Sequence, residues 1–96
     1  MVIERSELPI APDRAHDFER AYGAVGHLLR EAPGCLGTCL SRGIESPSKY
    51  LLLIEWQSVE AHKAFTQAQN FAIFRDSIAP FFAGKPATEH FDPVGA

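Results

Sequence analysis

The chain has 96 residues, of which 46% are hydrophobic and 22% charged, a composition typical of one ordinary globular domain. Nine basic and twelve acidic residues give a net charge of −3 without any run of Lys or Arg, so a nucleic-acid partner is disfavoured. No apolar stretch is long enough to cross a bilayer, and the N-terminal sequence MVIERSELPI is charged where an export signal would be apolar. We therefore expect one cytoplasmic domain over residues 1–96 with no membrane partner.

The first third of the chain predicts a strand followed by a helix. Residues 2–8, VIERSEL, have the character of a strand that ends at Pro9. Pro12 suits the first turn of a helix, because the N–H that proline lacks would have no partner there. Apolar residues then recur at steps of three and four until Pro33-Gly34 ends the helix. This stripe consists of Ala15, Phe18, Tyr22, Val25 and Leu29.

Two strands joined by a short turn come next. Residues 35–45, CLGTCLSRGIE, predict the second strand, and SPSK predicts the turn that closes a hairpin. Residues 50–56, YLLLIEW, predict the third strand. Their unbroken apolar run is typical of an inner strand that is covered on both faces.

The last third predicts another helical region and a final strand. Ser58 is a good N-cap, and a bend is expected near Asn70, between two apolar stripes that are rotated relative to each other. The first stripe comprises Ala61, Phe65, Ala68 and Ala72, and the second comprises Phe71, Phe74 and Ile78. Residues 85–94, KPATEHFDPV, predict the fourth strand, and residues 92–96 are expected to form a loose tail.

The order β-α-β-β-α-β predicts an α+β, ferredoxin-like fold with a four-stranded antiparallel sheet and two helices on one face. The third strand is apolar on both faces, but no residues remain to cover the second one. A second copy of the chain is the simplest cover, because large apolar surfaces seldom face water. We therefore predict a two-fold homodimer.

Cys35 and Cys39 both lie in the predicted second strand. On one strand they would share a face about 13 Å apart at ~3.3 Å per residue, whereas a disulfide needs Cα atoms within ~7 Å. We therefore expect two reduced thiols, as is usual in the cytosol. The pair lacks a second set of ligands, so we predict no metal site.

Three segments, YLLLIEWQSVEAHKAF, NFAIFRDSIAPFF and PATEHF, together with PGCLG after the first helix, resemble the antibiotic biosynthesis monooxygenase domain family over nearly the whole chain. The resemblance implies a dimeric α/β barrel in which a ligand cleft lies between the helices and the sheet of each subunit. It also implies a monooxygenase that needs no cofactor and acts on phenolic or quinol-like polyketides. The family further includes haem-degrading enzymes.

The positions that mark the haem-degrading branch differ in this chain. In the alignment that the resemblance implies, Arg75 stands where that branch has an iron-ligating histidine, and Phe65 stands where it has a tryptophan. The first strand has no asparagine, although that branch carries one there. These differences argue against haem degradation. Phe65 also replaces a histidine that many other members carry.

Two histidines are the candidate catalytic residues. His90 alternates with Glu89 and Phe91 on the last strand, so it lines the cleft if its face of the strand meets the helices. His62 lies about a quarter-turn from the apolar face of the second helix and borders the same cleft. An imidazole with an unperturbed pKa of ~6.5 suits a general base. The alternative is that His90 is a hydrogen-bonded structural residue and His62 is partly exposed.

A planar aromatic ligand would need apolar walls and a group that pairs with an oxygen anion. The candidate substrate-binding residues are Trp56, Phe65, Phe74, Arg75, Tyr22 and Phe18. Each has an alternative role, since large aromatic residues build cores and an arginine pairs with acidic neighbours. We assign His16 and His27 to solvent, because they lie opposite the apolar stripe of the first helix.

Two functions are consistent with these residues. The first is a cofactor-independent monooxygenase in which a histidine removes a proton from an aromatic substrate and the resulting anion reacts with dioxygen. The second is a non-catalytic dimeric module that binds a small apolar ligand, because one fold hosts many functions.

Overall fold

Residues 1–95, which the computed structural model describes, form four strands and three α-helices. In chain order the elements are β1 (Val2–Pro9), α1 (Ala15–Arg30), β2 (Cys35–Arg42), β3 (Lys49–Trp56), α2 (Val59–Thr66), α3 (Gln69–Ile78) and β4 (Ala87–Phe91). Short 3-10 turns lie at Pro12–Arg14 and Ala79–Phe81. The predicted α+β order is confirmed, except that the second helix is divided into α2 and α3. No helix within residues 1–95 is both long and apolar enough to cross a membrane.

The strands pair in the order β2-β3-β1-β4, and every pair is antiparallel, which confirms the ferredoxin-like sheet. β3 lies between β1 and β2, as its continuous apolar run predicts. The register places Glu4 level with Ile54 on β3 and with His90 on β4, and it places Ser6 level with Thr88. Residues level with one another in a sheet share a face, so these five side chains all belong to the face that the helices cover.

The core lies between that face of the sheet and the helices. Alternate residues of β3 from Tyr50 to Trp56 are buried, as are Phe18 and Leu29 of α1. The rings of Phe18 and Tyr50 meet edge to face with centroids 4.9 Å apart, and the Tyr50 hydroxyl donates to the Glu19 carboxylate. Burying each large apolar side chain contributes roughly 1.5–3 kcal/mol, so this layer holds α1 on the sheet.

The helical region after β3 begins as predicted and breaks earlier than predicted. Ser58 caps α2, because its Oγ accepts a hydrogen bond from the Ala61 N–H at 3.1 Å. The bend expected at Asn70 is wrong: the break falls at Ala68, which is extended with φ −86° and ψ 152°. The Ala68 N–H already bonds to the Phe65 carbonyl at 2.9 Å, so the last turn of α2 is closed before Asn70 is reached.

β2 contains an irregularity that was not predicted from the sequence. The register shifts between Cys35 and Gly37, so Cys35 lies level with Trp56 whereas Cys39 lies level with Leu53 on the other face. The expectation that both cysteines share a face is therefore wrong, because a bulge adds one residue to the alternation. Both thiols are free, as predicted.

The second face of the sheet is open in the single chain. Leu51 and Leu53 of β3 are half-buried there, and Arg5 and Glu7 of β1 form an ion pair at 2.8 Å beside them. Phe91, at the edge of the same face, is 44% exposed. This face therefore combines a central pair of leucines with charged neighbours.

Two predicted strands are longer than the observed ones. β2 ends at Arg42 rather than at Glu45, and β4 ends at Phe91 rather than at Val94. Residues 92–95 are exposed and have no regular secondary structure. The remaining residue of the predicted tail, Ala96, lies outside the described part of the chain.

Gly34 positions the start of α2. Its φ of 86° is in the left-handed region, and its carbonyl accepts a hydrogen bond from the Gln57 N–H at 2.8 Å. A Cβ at this position would lie 2.6 Å from the Cβ of Ala61. Only glycine therefore allows β2 and the first turn of α2 to approach this closely.

We expect Gly34→Ala to lower the free energy of unfolding by about 2 kcal/mol or more, because left-handed backbone costs roughly 1–2 kcal/mol and the clash with Ala61 adds to it. Gly23→Ala is the matched control. A Cβ at Gly23 meets nothing within 4 Å, so alanine should stabilise α1 by about 0.5–1 kcal/mol. Urea unfolding measures both variants, and midpoints that move in the same direction would contradict the expectation.

Candidate functional site

A cavity of about 460 Å³ lies between the helices and the sheet. This volume is within the range of about 300–1,000 Å³ that small-molecule sites usually have. The helix-facing side chains of β1 and β3 form its floor, and α2 and α3 form most of its walls. Most of the lining is hydrophobic, and it is completed by Leu29 of α1 together with Ala79, Phe82, Pro86 and Thr88.

Few polar side chains reach this cavity. They are Glu4 and Ser6 of β1, Thr88 of β4, His62 and Thr66 of α2, and Arg75 of α3. Within residues 1–95, no group of three or more His, Cys, Asp or Glu side chains is arranged to hold a metal ion. The chemistry that the cavity can offer therefore comes from a carboxylate, an imidazole, a guanidinium and hydroxyl groups.

Glu4 places a carboxylate in the floor of the cavity, where the residue is only 6% exposed. The Trp56 indole Nε1 donates to Glu4 Oε1 at 2.8 Å, and His62 Nε2 lies 3.1 Å from the same oxygen. Both contacts fall on Oε1, so neither of them engages Oε2. A buried carboxylate requires partners of this kind, because an unpaired charge in apolar surroundings is costly.

His62 is held at both ring nitrogens and on one ring face. Nε2 faces Glu4, Nδ1 lies 2.7 Å from His90 Nε2, and the ring stacks on Trp56 at a centroid distance of 5.3 Å. Burial lowers the pKa of His62 below its ordinary value; the Glu4 carboxylate opposes this shift and His90 adds to it. His62 is therefore a neutral imidazole at neutral pH and can accept a proton.

Ser6 and Thr88 form a second polar pair, two residues further along β1 and β4 from Glu4 and His90. The two hydroxyl oxygens lie 2.6 Å apart across the strands. A hydroxyl group both donates and accepts hydrogen bonds. The pair can therefore rotate to bind a polar atom of a ligand whose ring lies over the floor.

Aromatic rings and one arginine form the wall opposite the floor. Phe65 and Phe71 meet edge to face at 5.6 Å, and the Arg75 guanidinium lies 5.5 Å from the centre of the Phe71 ring. Arg75 also pairs with Asp76 at 3.1 Å, but both side chains are more than half exposed. Such a surface ion pair is weak, so the guanidinium is available to an anionic ligand.

Five of the residues predicted for the site line this cavity together: Trp56, His62, Phe65, Phe74 and Arg75. His90 does not. It lies on the exposed side of His62 and contacts the cavity only through that imidazole. Of the two predicted catalytic histidines, His62 is therefore the one that lines the cavity, and a catalytic role for His90 stays a prediction.

Phe18 and Tyr22, the other two predicted substrate-binding residues, do not line this cavity. Phe18 is fully buried against Tyr50, and Tyr22 packs edge to face on Phe74 at 6.1 Å. Their stripe on α1 faces the core behind the lining, and the α1 residue that reaches the cavity is Leu29. Both aromatic residues support the wall without forming its surface.

Glu4, Ser6 and Thr88 are site residues that were not predicted from the sequence. One signal was available for the first two: Glu4, Ser6 and Leu8 alternate along β1, so a buried Leu8 implies that all three face the core. Thr88 follows from the same alternation on β4, because it lies two residues before His90. Their meeting depends on the pairing of β1 with β4, which the sequence alone does not specify.

The sequence profile of the family described as "Antibiotic biosynthesis monooxygenase" matches residues 1–77. The chain belongs to this family. The match includes Glu4, Trp56, His62 and Arg75, whereas Thr88 and His90 lie beyond it. Phe65 and Arg75, the two helical positions at which the chain differs from the haem-degrading branch, thus lie within the matched region.

The similarity to other proteins extends over the whole length of the chain. The uncharacterised protein YczJ of Bacillus subtilis (strain 168) is 30% identical over 95 residues, which are 98% of this chain and 100% of YczJ. The crystal structure of a Bordetella bronchiseptica protein named for the antibiotic biosynthesis monooxygenases superposes with a TM-score of 0.92 at 32% identity, and covers 97% of this chain and 96% of that one. The crystal structure of a protein of the same designation from Caulobacter crescentus CB15 superposes with a TM-score of 0.86 at 25% identity. It covers 98% of this chain and 90% of that one.

We expect acid to destabilise the wild-type protein more than His62→Gln. Burial holds the pKa of His62 below its ordinary value of about 6.5, so the unfolded chain binds this proton first as the pH falls. The contribution of His62 to stability is therefore present at neutral pH, and is lost as the pH falls through about 6.5 towards the folded-state pKa. Urea unfolding at about pH 7.5 and about pH 5 measures it.

His27→Gln is the control for that measurement, because His27 is an exposed histidine on α1. It should retain the wild-type dependence on pH. The expectation is wrong if His62→Gln and the wild type lose equal stability over this interval.

Proposed function

We propose that the protein is a cofactor-independent monooxygenase that acts on a phenolic or quinol-like aromatic substrate, such as a polyketide. Membership of the antibiotic biosynthesis monooxygenase family supports the reaction class. The observation that carries the proposal is the contact between Glu4 and His62 at the polar end of an otherwise apolar cavity. This arrangement gives a flat aromatic molecule a place to bind and supplies a group that can take its proton.

In the proposed reaction, the substrate supplies both the carbon nucleophile and the electrons. The Glu4–His62 pair removes a proton from an acidic CH₂ group of an anthrone-type substrate, and the electron pair stays on carbon. The carbanion transfers one electron to O₂, and the resulting carbon radical and superoxide combine to form a C–O bond. The peroxide anion formed in this way takes up a proton. Loss of the second C–H proton and cleavage of the O–O bond then give a ketone and water, so one oxygen atom enters the substrate.

The cavity would assist by excluding water and by stabilising negative charge. The carbanion of an anthrone is delocalised onto its carbonyl oxygen, and a guanidinium next to that oxygen stabilises the negative charge. Arg75 lines the cavity, and its ion pair with Asp76 is exposed to solvent. It therefore serves in the proposal as the group that binds the substrate oxygen.

The proposal includes a homodimer formed through the open face of the sheet. Leu51 and Leu53 lie at the middle of this face, and Ile3 and Phe91 extend the apolar surface towards β4. Apolar residues on an open face of a sheet are typical of protein interfaces. A two-fold axis would also pair Arg5 or Glu7 of one subunit with charges of the other.

The second candidate function is a non-catalytic module that binds a small aromatic ligand. It is favoured by the hydrogen bonds that polar lining groups already form with neighbouring side chains, since Trp56 donates to Glu4 Oε1 and Ser6 bonds to Thr88. In this case the polar groups would only stabilise the floor, and the ligand would bind through its apolar area.

Turnover of dithranol, a dihydroxyanthrone, tests the oxygenase proposal. We expect the purified protein to convert dithranol to the corresponding quinone above the protein-free rate, with one atom from isotopically labelled O₂ in the product. Replacing both Glu4 and His62 by Gln should lower kcat by roughly 10²-fold or more, because general-base catalysis supplies that much. Exposed His27→Gln should retain wild-type kcat. Saturable binding of dithranol without turnover would instead support the binding module.

Sedimentation at micromolar concentration tests the dimer. We expect the wild type to sediment as a dimer and Leu53→Lys to sediment as a folded monomer, because a lysine at the centre of the open face would place a charge in the interface. Ile73→Lys is the control, since Ile73 is a 44% exposed residue on α3, on the helical side of the molecule. A wild-type protein that sediments as a folded monomer would overturn the dimer.

A further inference from the structure

Three titratable side chains form a continuous chain of contacts from the cavity floor to the surface. Glu4 is 6% exposed, His62 Nε2 lies 3.1 Å from Glu4 Oε1, and His62 Nδ1 lies 2.7 Å from His90 Nε2. His90, at the other end, is exposed. Both distances are typical of the separation between donor and acceptor atoms in hydrogen bonds, so the series of contacts is continuous.

His62 occupies the middle of this chain in a way that a single general base would not require. Both of its nitrogens already have partners, so no ring nitrogen is left to face a substrate. Glu4, in contrast, uses only Oε1 for its contacts with Trp56 and His62. Glu4 lines the cavity, so Oε2 is available to a ligand there, whereas His62 has no ring nitrogen without a partner.

We propose that Glu4 is the residue that takes the substrate's proton, and that His62 and His90 form a relay that conducts this proton between the cavity and solvent. This inference rests on the oxygenase proposed above for the identity of the substrate. Glu4 is the catalytic residue in this arrangement. His62 and His90 act through it.

The transfer conserves protons and charge at each step. Glu4 Oε2 accepts the proton from the substrate carbon, and the electron pair of the broken C–H bond stays on that carbon. With His62 in the tautomer that carries its proton on Nδ1, the carboxylic acid group turns Oε2 towards the imidazole and gives its proton to Nε2. At the same time, His62 Nδ1–H gives its own proton to His90 Nε2. The His90 ring exchanges with water, and the opposite tautomer of His62 carries a proton inwards when the peroxide is to be protonated.

Such a relay would change the fate of the carbanion. A proton that stayed on Glu4 would remain next to the carbanion and could return to it before O₂ reacts. Transfer to His90 moves the proton outside the cavity, and so lengthens the time in which oxidation can occur. The Trp56 ring stacks on His62 and its Nε1 donates to Glu4, so Trp56 fixes the positions of these two side chains relative to each other.

The neighbouring charges are compatible with the relay. From β1, Glu4 faces His62, and from β4, His90 faces it. Arg75 of α3 lines the same cavity but forms its ion pair with Asp76. Substituting the two ends of the relay should therefore affect His62 in opposite directions, because a carboxylate favours the imidazolium and a second imidazolium disfavours it.

Hydrogen exchange without oxygen is the deciding experiment, because it detects proton transfer independently of oxygenation. In anaerobic D₂O, we expect the wild type to exchange the reactive CH₂ hydrogens of dithranol faster than buffer does. His90→Gln keeps a hydrogen-bonding side chain but cannot pass on a proton, and should reduce the exchange rate by about tenfold. Glu4→Gln should reduce it by roughly 10²-fold.

Glu89→Gln is the matched control for His90→Gln, since Glu89 adjoins it on β4 and belongs to the opposite face; it should exchange at the wild-type rate. Added imidazole should restore exchange in His90→Ala, whose missing ring leaves room for it. Wild-type exchange in either His90→Gln or Glu4→Gln would overturn the relay, as would the absence of exchange in the wild type. Exchange without oxygenation would instead overturn the oxygenase and leave the relay intact.

NMR titration of the His62 imidazole shows whether a variant loses exchange because the relay is interrupted or because the variant is misfolded. In the ligand-free protein, Glu4→Gln should lower the pKa of His62 and His90→Gln should raise it, whereas His27→Gln should leave it unchanged. If neither of the first two substitutions moves the pKa of His62, the contacts that define the relay are absent and the inference is wrong.

Discussion

The Glu4 carboxylate lies in an apolar floor, and its two nitrogen partners determine much of the surrounding structure. Removing one partner from a buried charge costs roughly 3–5 kcal/mol, so the positions of Trp56 and His62 relative to Glu4 are tightly constrained. Trp56 must end β3 level with the start of β1, and α2 must begin close enough for His62 to reach the same oxygen. Gly34, which allows α2 to approach β2, is part of the same requirement.

This constraint connects the fold to the proposed chemistry. Pairing of β1 with β3 and β4 brings Glu4, Trp56 and His90 together, and the cap at Ser58 fixes the first turn from which His62 projects. The break between α2 and α3 then lets the aromatic wall turn towards the floor. A site assembled from three strands and a helix therefore depends on register more than on any short motif.

Much of the fold could be predicted from the sequence, because local patterns determine it. The apolar run of β3 indicated an inner strand, and Ser58 marked the start of α2. The bulge at Cys35 and the break at Ala68 could not be predicted, since both arise from backbone contacts with other segments. The site was predicted in part for the same reason: Trp56 and Phe65 lie in apolar patterns, but the role of Glu4 depends on which residues lie opposite it across the sheet.

Trp56 is the chain's single tryptophan, and its ring lies against His62. A protonated imidazole quenches indole emission more strongly than a neutral one. The intrinsic fluorescence of the protein therefore reports the charge state of His62 without any label. Occupation of the cavity, which would change the surroundings of the same indole, can be followed in the same emission band.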